Sequence, residues 1–219
     1  MHLSDTCALV TGAASGLGEA TARHFAAEGA QVTLLDRDTV GGKAVANEIG
    51  GTFVSCDVTD EASVQGAVAA ASTAMGRITA MVNCAGIARA ITTVGRNGPH
   101  PLGDFQRTID INLVGSFNVA RLAAEAMAEN TPEPDGARGV IINTASIAAF
   151  DGQRGQTAYA ASKGGIVGMT LPMARDLAKV GIRVMAIAPG IFRTPMLEGL
   201  GEEVQVQLAA DVPCPARLG

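Results

Sequence analysis

The residues best suited to chemistry in this 219-residue chain are Ser146, Tyr159 and Lys163. Tyr159 and Lys163 stand four positions apart, so a helix would place both side chains on one face. A free phenol has a pKa near 10, whereas an acid–base catalyst works best when its pKa is near the surrounding pH. A neighbouring ammonium together with a cationic cofactor can lower the pKa of a phenol. The pattern therefore predicts proton transfer by Tyr159. The alternatives are a solvated Tyr/Lys helix face and, for Ser146, an ordinary loop hydroxyl.

A glycine-rich loop from Thr11 to Gly18 predicts a dinucleotide site. An apolar strand pattern ends just before it, and a helix pattern follows over residues 19–27. Glycines allow a tight turn and let backbone N–H groups approach a pyrophosphate, whose charge a helix N-terminus favours. An ordinary glycine turn is the alternative, which the strand before the loop and the helix after it disfavour.

Asp36 ends the next predicted strand at the spacing expected for the acid that binds an adenosine ribose. A carboxylate at that position repels the 2′-phosphate of NADP. Arg37 is the opposing observation, because a neighbouring arginine can hold that phosphate. We favour NAD.

The elements that must position these residues alternate between helix and strand. Four helix-like stretches end at a glycine that tolerates the left-handed conformation, namely Gly29, Gly50, Gly76 and Gly181. Short apolar runs that lack alternation, typical of strands covered on both faces, occupy residues 7–10, 31–35, 52–54, 78–82, 139–142 and 182–187. Alternating strands and helices predict an α/β Rossmann fold, a doubly wound parallel sheet with helices on both faces, built by residues 1–219 as a single domain.

Several polar residues follow the predicted strands where an open parallel sheet binds ligands. Asp57 and Val58 follow the third strand, and Asn83 to Gly86 follow the fourth. We expect these strand ends to converge on one cofactor. Turn capping is the alternative for Asp57 and Asn83.

Three features interrupt the alternation. Segments 88–104 and 129–138 exceed the usual connection of about four to six residues, so each is either a functional loop or a flexible one. Pro172 falls within the helical stretch 159–179, where we expect it to kink or split the helix.

Composition excludes several classes of protein. With 47% hydrophobic and 17% charged residues, the chain is neither disordered nor collagen-like. A net charge of -5 with scattered basic residues argues against nucleic acid or anionic lipid as a partner. The four cysteines show no spacing typical of a disulfide framework or a metal site. Without a signal sequence or an apolar stretch of about 18 residues, a soluble, cytoplasmic protein is expected.

Together these motifs resemble the short-chain dehydrogenase/reductases over essentially the whole chain. They occur in that family's order: the Thr11 to Gly18 loop, Asp36, Asp57-Val58, Asn83-Cys84-Ala85-Gly86, Asn112, Ser146, Tyr159 with Lys163, and Pro189-Gly190 followed by Thr194. The resemblance implies that NAD is bound by Gly12, Ser15, Gly16, Leu17, Gly18, Asp36, Asp57, Val58, Asn83, Cys84, Ala85, Gly86, Tyr159, Lys163, Pro189, Gly190, Phe192 and Thr194.

The same resemblance implies catalytic roles for four residues. Tyr159 takes the proton of a substrate hydroxyl while hydride passes to the nicotinamide, and Ser146 hydrogen-bonds the substrate oxygen. Lys163 lowers the tyrosine pKa and holds the nicotinamide ribose, and Asn112 positions a water. Gln156 is expected to face the reacting carbon with Ser146 and Tyr159, the alternative being a residue that merely starts the helix.

Within the family, segments 104–107, 139–146 and 164–172 resemble the type II 3-hydroxyacyl-CoA dehydrogenases, as do Cys84 and the long loop 88–104. This likeness implies NAD-dependent, reversible oxidation of a 3-hydroxyacyl-CoA to the 3-oxo thioester. It also implies a homotetramer in which helix 159–179, with its glycines, pairs with its counterpart. In the family a further helix and a seventh strand follow the segment matched by residues 213–219, so the sheet is expected to lack that strand.

Two other functions stay open at this point. One is an alcohol, steroid or 3-oxoacyl-carrier-protein oxidoreductase that uses the same three residues. The other is a nucleotide-binding scaffold without turnover.

Overall fold

The structure is a computed structural model that describes residues 2–198, 201–210 and 212–219. Its strands are β1 (Cys7–Thr11), β2 (Gln31–Asp36), β3 (Thr52–Ser55), β4 (Ala80–Asn83), β5 (Val94–Gly95), β6 (Gly98–Pro99), β7 (Gly139–Thr144) and β8 (Ile182–Ile187). Its helices are α1 (Gly16–Ala27), α2 (Thr39–Ile49), α3 (Glu61–Met75), α4 (Leu102–Ile109), α5 (Gly115–Ala128), α6 (Thr157–Ala178), α7 (Pro195–Glu198) and α8 (Glu202–Ala210). A π-helical segment, Asp110–Val114, joins α4 to α5, and short 3-10 turns occupy Leu3–Asp5 and Ile147–Ala149.

Six parallel strands form the main sheet, in the order β3-β2-β1-β4-β7-β8. The predicted doubly wound Rossmann topology is therefore confirmed, and each predicted strand is present. The register places Thr11 opposite Asn83, and Asn83 opposite Asn143. Polar residues at three neighbouring strand ends therefore meet at the carboxyl edge of the sheet.

The four predicted helix-ending glycines all adopt the left-handed conformation. Their φ angles are 89°, 68°, 76° and 70° at Gly29, Gly50, Gly76 and Gly181. A side chain at such a position is strained, so glycine closes each helix and lets the chain turn directly into the next strand.

Helices cover the sheet on both sides, as the apolar strands indicated. On β1, Ala8 and Val10 face a cluster that includes residues of α1 and α2, whereas Cys7 and Leu9 face a cluster with α3, α5 and α6. No helix in the described part of the chain is both long enough and apolar enough to span a membrane.

Strand β8 departs from the prediction that every strand is covered on both faces. Ile182 and Val184 are buried against the core, but Met185 and Ile187 on the other face are about half exposed, at 47% and 48%. Within the described residues β8 is also the edge of the sheet. The reason is that none of the described helices lies over this face of β8.

The two long segments differ in position. Segment 88–104 contains the β5–β6 hairpin and is anchored beside α6, where the Ile91 N–H donates to the Gly155 carbonyl at 2.9 Å. Segment 129–138 joins α5 to the amino end of β7, and the Asn130 amide donates to the carbonyls of Ile78 and Arg138. Hydrogen bonds therefore order both segments, and the first one lies at the carboxyl edge of the sheet.

Pro172 does not split its helix, because α6 runs unbroken from Thr157 to Ala178. A proline lacks the N–H that would bond to the carbonyl four residues earlier, here that of Gly168. Gly168 is exposed in the single chain. Water can therefore reach the free carbonyl there, which lowers the cost of the missing hydrogen bond.

Replacing Pro172 with alanine restores that hydrogen bond, but it also increases the conformational entropy of the unfolded chain, which opposes the gain. We expect the free energy of unfolding to rise by about 1–3 kcal/mol after both effects are counted. Urea denaturation measures this change in stability. Lys43→Ala, at an exposed position of α2, is the control and should change stability by less than about 0.5 kcal/mol. Destabilisation by Pro172→Ala would show that the ring, not the lost hydrogen bond, dominates.

Candidate active site

Two adjoining cavities open at the carboxyl edge of the sheet. The first, of about 360 Å³, lies over the ends of β1, β2, β3 and β4. The second, of about 270 Å³, lies over the ends of β7 and β8 and is closed on one side by residues 88–90. Four residues line both cavities: Leu17, Thr144, Tyr159 and Thr194. Tyr159 therefore stands at the junction of the two.

The glycine loop forms the floor of the first cavity. A side chain at Gly12 would place its Cβ 2.7 Å from the backbone nitrogen of Ala85, and one at Gly18 would strike the Gly12 carbonyl oxygen. Gly12 and Gly16 also have φ angles of 63° and 58°. Only glycine fits these positions, so backbone rather than side chain faces the cavity here.

The N-terminus of α1 points into the same space without a side-chain cap. Ser15 stands at the N-cap position, but its hydroxyl accepts no hydrogen bond from the helix. In contrast, Asp38 and Asp60 cap α2 and α3 through their carboxylates. The first turn of α1 can therefore offer backbone donors to an anion.

The Asp36 carboxylate is fixed at the end of β2. One oxygen accepts from the Ala14 N–H at 3.0 Å, and the other accepts from the Asp38 N–H at 2.9 Å. Each oxygen keeps a further lone pair, and Asp36 lines the first cavity beside the glycine loop.

Asp57 and Val58 line the first cavity at the end of β3, as do Cys84, Ala85 and Gly86 after β4. Burial acts to raise the pKa of Asp57, but two hydrogen bonds from Thr59 and the nearby Arg37 charge outweigh it and hold that pKa below its ordinary value. Asp57 is therefore a carboxylate at neutral pH.

Asn83 does not reach either cavity with its side chain. Its Oδ1 accepts from the Thr11 hydroxyl, and its Nδ2 donates to Asn143 Oδ1 at 2.8 Å and to the Ser116 carbonyl at 2.9 Å. Thr11 Oγ1 in turn accepts from the backbone of Cys84 and Ala85. The side chain of Asn83 therefore joins strand ends, and Asn83 is not among the residues that line either cavity.

Asn112 lies in the π-helical segment and is fully buried. Its Oδ1 accepts from the Ile87 N–H at 2.8 Å, while its Nδ2 donates to the Ile87 carbonyl and to Ser162 Oγ. The Ser162 hydroxyl donates to the Tyr159 carbonyl at 2.7 Å. Asn112 thus connects the loop after β4 to the first turns of α6. No motif in the sequence pointed to Ser162 as part of this connection.

Tyr159 and Lys163 project from one face of α6, as their spacing predicted. Lys163 is buried, and its Nζ donates to the Thr144 carbonyl at 2.6 Å and lies 5.7 Å from the centre of the Tyr159 ring. Ser146 lines the second cavity, and its Oγ accepts from the Ala148 N–H at 3.1 Å. The structure therefore brings Ser146, Tyr159 and Lys163 together around Thr144, a residue that the sequence did not single out.

Burial shifts both ionisable groups of this cluster toward their neutral forms. It raises the pKa of Tyr159, against the smaller effect of a hydrogen bond with Ser146. It lowers the pKa of Lys163 to about 8. The pKa of Tyr159 is therefore raised in the chain alone, because desolvation of the phenol outweighs the hydrogen bond with Ser146. The expected lowering of that pKa by Lys163 together with a cationic cofactor stays a prediction.

The remaining predicted residues lie around the second cavity: Gln156, Pro189, Gly190, Phe192 and, shared with the first cavity, Thr194. Gln156 is also the N-cap residue of α6, and its Oε1 accepts from the Gln153 N–H at 2.9 Å. Of the residues predicted for the cofactor after β8, Thr194 alone lines the first cavity. Within residues 2–198, 201–210 and 212–219, no group of three or more His, Cys, Asp or Glu could hold a metal ion.

Comparison with known proteins identifies the family to which the chain belongs. A family model described as short chain dehydrogenase matches residues 6–205. The chain belongs to the short-chain dehydrogenase family. It is 56% identical over 216 residues to the 3-hydroxyacyl-CoA dehydrogenase type-2 of Homo sapiens, covering 97% of this chain and 83% of the relative.

Two further relatives of this short-chain dehydrogenase carry the same name. One, from Drosophila melanogaster, is 53% identical over 221 residues, covering 99% of this chain and 87% of the relative. A crystal structure of 3-hydroxyacyl-CoA dehydrogenase type-2 from Mycobacterium avium superposes with a TM-score of 0.93 at 46% identity, covering 99% of this chain and 85% of that one. This short-chain dehydrogenase is therefore an oxidoreductase that uses a nicotinamide cofactor.

The tyrosine pKa of this short-chain dehydrogenase can be measured directly, since Tyr159 is the single tyrosine and tryptophan is absent from the sequence. In the ligand-free protein we expect the near-ultraviolet absorbance of tyrosinate to appear above pH 10, because burial disfavours the phenolate. The urea-unfolded chain should titrate near 10. Ser146→Ala should raise the midpoint further. A native midpoint below that of the unfolded chain would contradict the raised pKa.

Burial of Lys163 also predicts how stability depends on pH. The unfolded chain binds one more proton than the native protein between the native pKa of about 8 and the ordinary value of 10.5. Wild-type stability should therefore gain about 3 kcal/mol from this group between pH 7 and pH 10.5. Lys163→Met lacks that gain, so its stability relative to wild type should fall by the same amount over the range. Urea denaturation of both proteins checks this, and a constant difference would show that Lys163 is not desolvated.

Proposed function

We propose that this short-chain dehydrogenase catalyses NAD-dependent, reversible oxidation of a 3-hydroxyacyl-CoA to a 3-oxoacyl-CoA. The observation that carries the proposal is the place of Tyr159, which lines a glycine-floored cavity and a second, largely apolar cavity at once. A group at that junction can reach both a nicotinamide ring and a substrate carbon. The relatives named 3-hydroxyacyl-CoA dehydrogenase type-2 supply the substrate class.

The first cavity fits a dinucleotide. At Gly12 and Gly18 a Cβ would clash, and the backbone donors of α1 lack a side-chain cap. These features suit a pyrophosphate. The nicotinamide ring, when bound, accepts or returns the hydride. The residues that would hold the cofactor are those of the first cavity, from Gly12 to Gly18, Asp36, Asp57, Val58, Cys84 to Gly86, Tyr159, Lys163 and Thr194.

The fixed Asp36 carboxylate supports NAD rather than NADP as the cofactor. Both of its oxygens are held by backbone N–H groups, so it cannot swing away from a ligand in the first cavity. A carboxylate accepts hydrogen bonds from the ribose hydroxyls of NAD and repels the 2′-phosphate of NADP.

In this proposal Tyr159 transfers the proton. As phenolate it takes the substrate hydroxyl proton, and Ser146, which lines the second cavity, donates a hydrogen bond to the substrate oxygen. Lys163, with a pKa of about 8, is still mostly cationic at pH 7 and adds positive charge near the ring. A cationic nicotinamide adds to that charge, and together they offset the burial that raises the tyrosine pKa. Asn112 holds the turn of α6 that carries Tyr159.

The second cavity suits an acyl chain because its walls include Ile147, Ile191, Phe192, Leu197 and Leu208. We place Gln156 at its polar rim, where the free amide nitrogen can meet a thioester carbonyl while Oε1 caps the loop.

We propose that residues 1–219 act as one NAD-binding domain and that the protein assembles as a homotetramer through α6. Of the α6 glycines, Gly165 packs on Leu113 within the chain, but Gly168 is open to close approach by another subunit. Leu171, on the same helix, is 56% exposed.

Oxidation of NADH by acetoacetyl-CoA tests the proposal. Wild type should turn over, and Tyr159→Phe should lose at least about 10²-fold in kcat, because a phenyl ring cannot transfer the proton. NADH binding, followed by calorimetry, should persist in the variant. Ser146→Ala should fall by about 10²-fold in kcat as well.

Two outcomes would contradict the proposal. Full activity of Tyr159→Phe would remove Tyr159 from the reaction. Reduction of a simple ketone, a steroid or an acyl-carrier-protein thioester in preference to acetoacetyl-CoA would exclude the acyl-CoA substrate and leave the cofactor chemistry in place.

A further inference from the structure

Three charged groups meet at the end of the first cavity that we assign to adenosine. Asp36 and Arg37 follow each other at the end of β2, and Asp57 follows the neighbouring β3; all three line the cavity. The two acids repel a phosphate, whereas the arginine attracts one. Selection against the 2′-phosphate of NADP therefore depends on where the Arg37 guanidinium is held.

The Arg37 guanidinium faces Asp57, with 3.5 Å between Arg37 Nε and Asp57 Oδ2. Its side chain is 65% exposed, so the ion pair is the contact that orients it among the described residues. A flexible arginine in a solvated site adopts many rotamers, and a nearby fixed charge restricts them.

Asp57 is well placed to act as that fixed charge. Its other oxygen, Oδ1, accepts from the Thr59 N–H at 3.0 Å and from the Thr59 hydroxyl at 2.7 Å. Its own backbone N–H donates to Ser63 Oγ at 3.0 Å. Two donors of Thr59 therefore hold the carboxylate and Ser63 fixes its backbone, while Oδ2 is left to Arg37.

We propose that Asp57 is a specificity-determining residue that holds Arg37 away from the 2′ position of the adenosine ribose, so that a site containing a phosphate-binding arginine still selects NAD. The proposal rests on the assignment of the first cavity to NAD. It gives Asp57 two separable effects on a 2′-phosphate, direct repulsion and retention of Arg37. The retention of Arg37 is the new part of the proposal. It requires that the effect of replacing Asp57 on the nucleotide preference depend on whether Arg37 is present.

A double-mutant cycle separates the two effects without any need for turnover. The probes are 5′-AMP and 2′,5′-ADP (adenosine 2′,5′-bisphosphate), which differ only in the 2′-phosphate, and calorimetry gives the dissociation constant of each. The proteins are wild type, Asp57→Asn, Arg37→Ala and the double variant. The quantity compared is the preference for 5′-AMP over 2′,5′-ADP.

Wild type should prefer 5′-AMP. Asp57→Asn should reduce that preference about tenfold, because repulsion falls and Arg37 is released to the phosphate. In the Arg37→Ala background the same substitution should reduce the preference only about twofold, because repulsion alone remains. Equal reductions in both backgrounds would overturn the proposal and leave Asp57 as a purely repulsive charge.

Asp60→Asn is the matched control. Asp60 is a nearby acid that caps α3, does not line the cavity, and can be replaced by an asparagine that still caps a helix. It should leave the preference unchanged. A change as large as that of Asp57→Asn would mean that general charge, rather than the ion pair, sets the preference, and would overturn the proposal.

The same titrations distinguish failure of this proposal from failure of the cofactor assignment. If the wild type binds neither nucleotide, or binds 2′,5′-ADP more tightly, the NAD assignment fails and this proposal fails with it. If wild type prefers 5′-AMP but the cycle shows no coupling, only the retention of Arg37 is wrong. Thermal unfolding of each variant, with a transition like that of wild type, confirms that folded proteins are compared.

Discussion

The buried side chain of Asn83 connects the ends of β1, β4 and β7 and the start of α5 through its hydrogen bonds to Thr11, Asn143 and Ser116. A buried amide left without partners costs about 1–3 kcal/mol, so these elements cannot shift independently. The loop after β1 and the carbonyl of Thr144 both extend from strands held in this way. The floor of the first cavity and the anchor of Lys163 therefore share one set of hydrogen bonds.

Burial, rather than charge pairing, dominates the electrostatics where the two cavities meet. Exclusion of water shifts the pKa of both Tyr159 and Lys163 toward the neutral form, although Lys163, with a pKa of about 8, stays mostly cationic at pH 7. The protein thus positions the two groups but does not by itself stabilise a tyrosine phenolate. In the proposed reaction, positive charge on the cofactor would supply that stabilisation only when the site is filled.

Much of the fold could be predicted because the conformational preferences of short segments agree with the way those segments pack in the folded chain. Glycines such as Gly50 end helices for steric reasons that act within one turn, and the spacing of Tyr159 and Lys163 fixes their shared face. The role of Asn83 could not be predicted, because a side chain at a strand end turns inward or outward according to partners far along the chain. Whether Pro172 splits its helix could not be predicted for the same reason, since its cost depends on whether solvent reaches Gly168.

Segment 129–138 has a practical consequence. It lies at the amino end of β7, it lines neither cavity, and Asn130 fixes its base through hydrogen bonds to Ile78 and Arg138. Its tip, residues 134–136, is exposed. Exposed tips above a fixed base accept inserted sequence with little effect on the elements they join. An affinity tag or a fluorescent reporter domain inserted between Pro134 and Asp135 would therefore leave both termini native and stand on the side of the sheet remote from ligands.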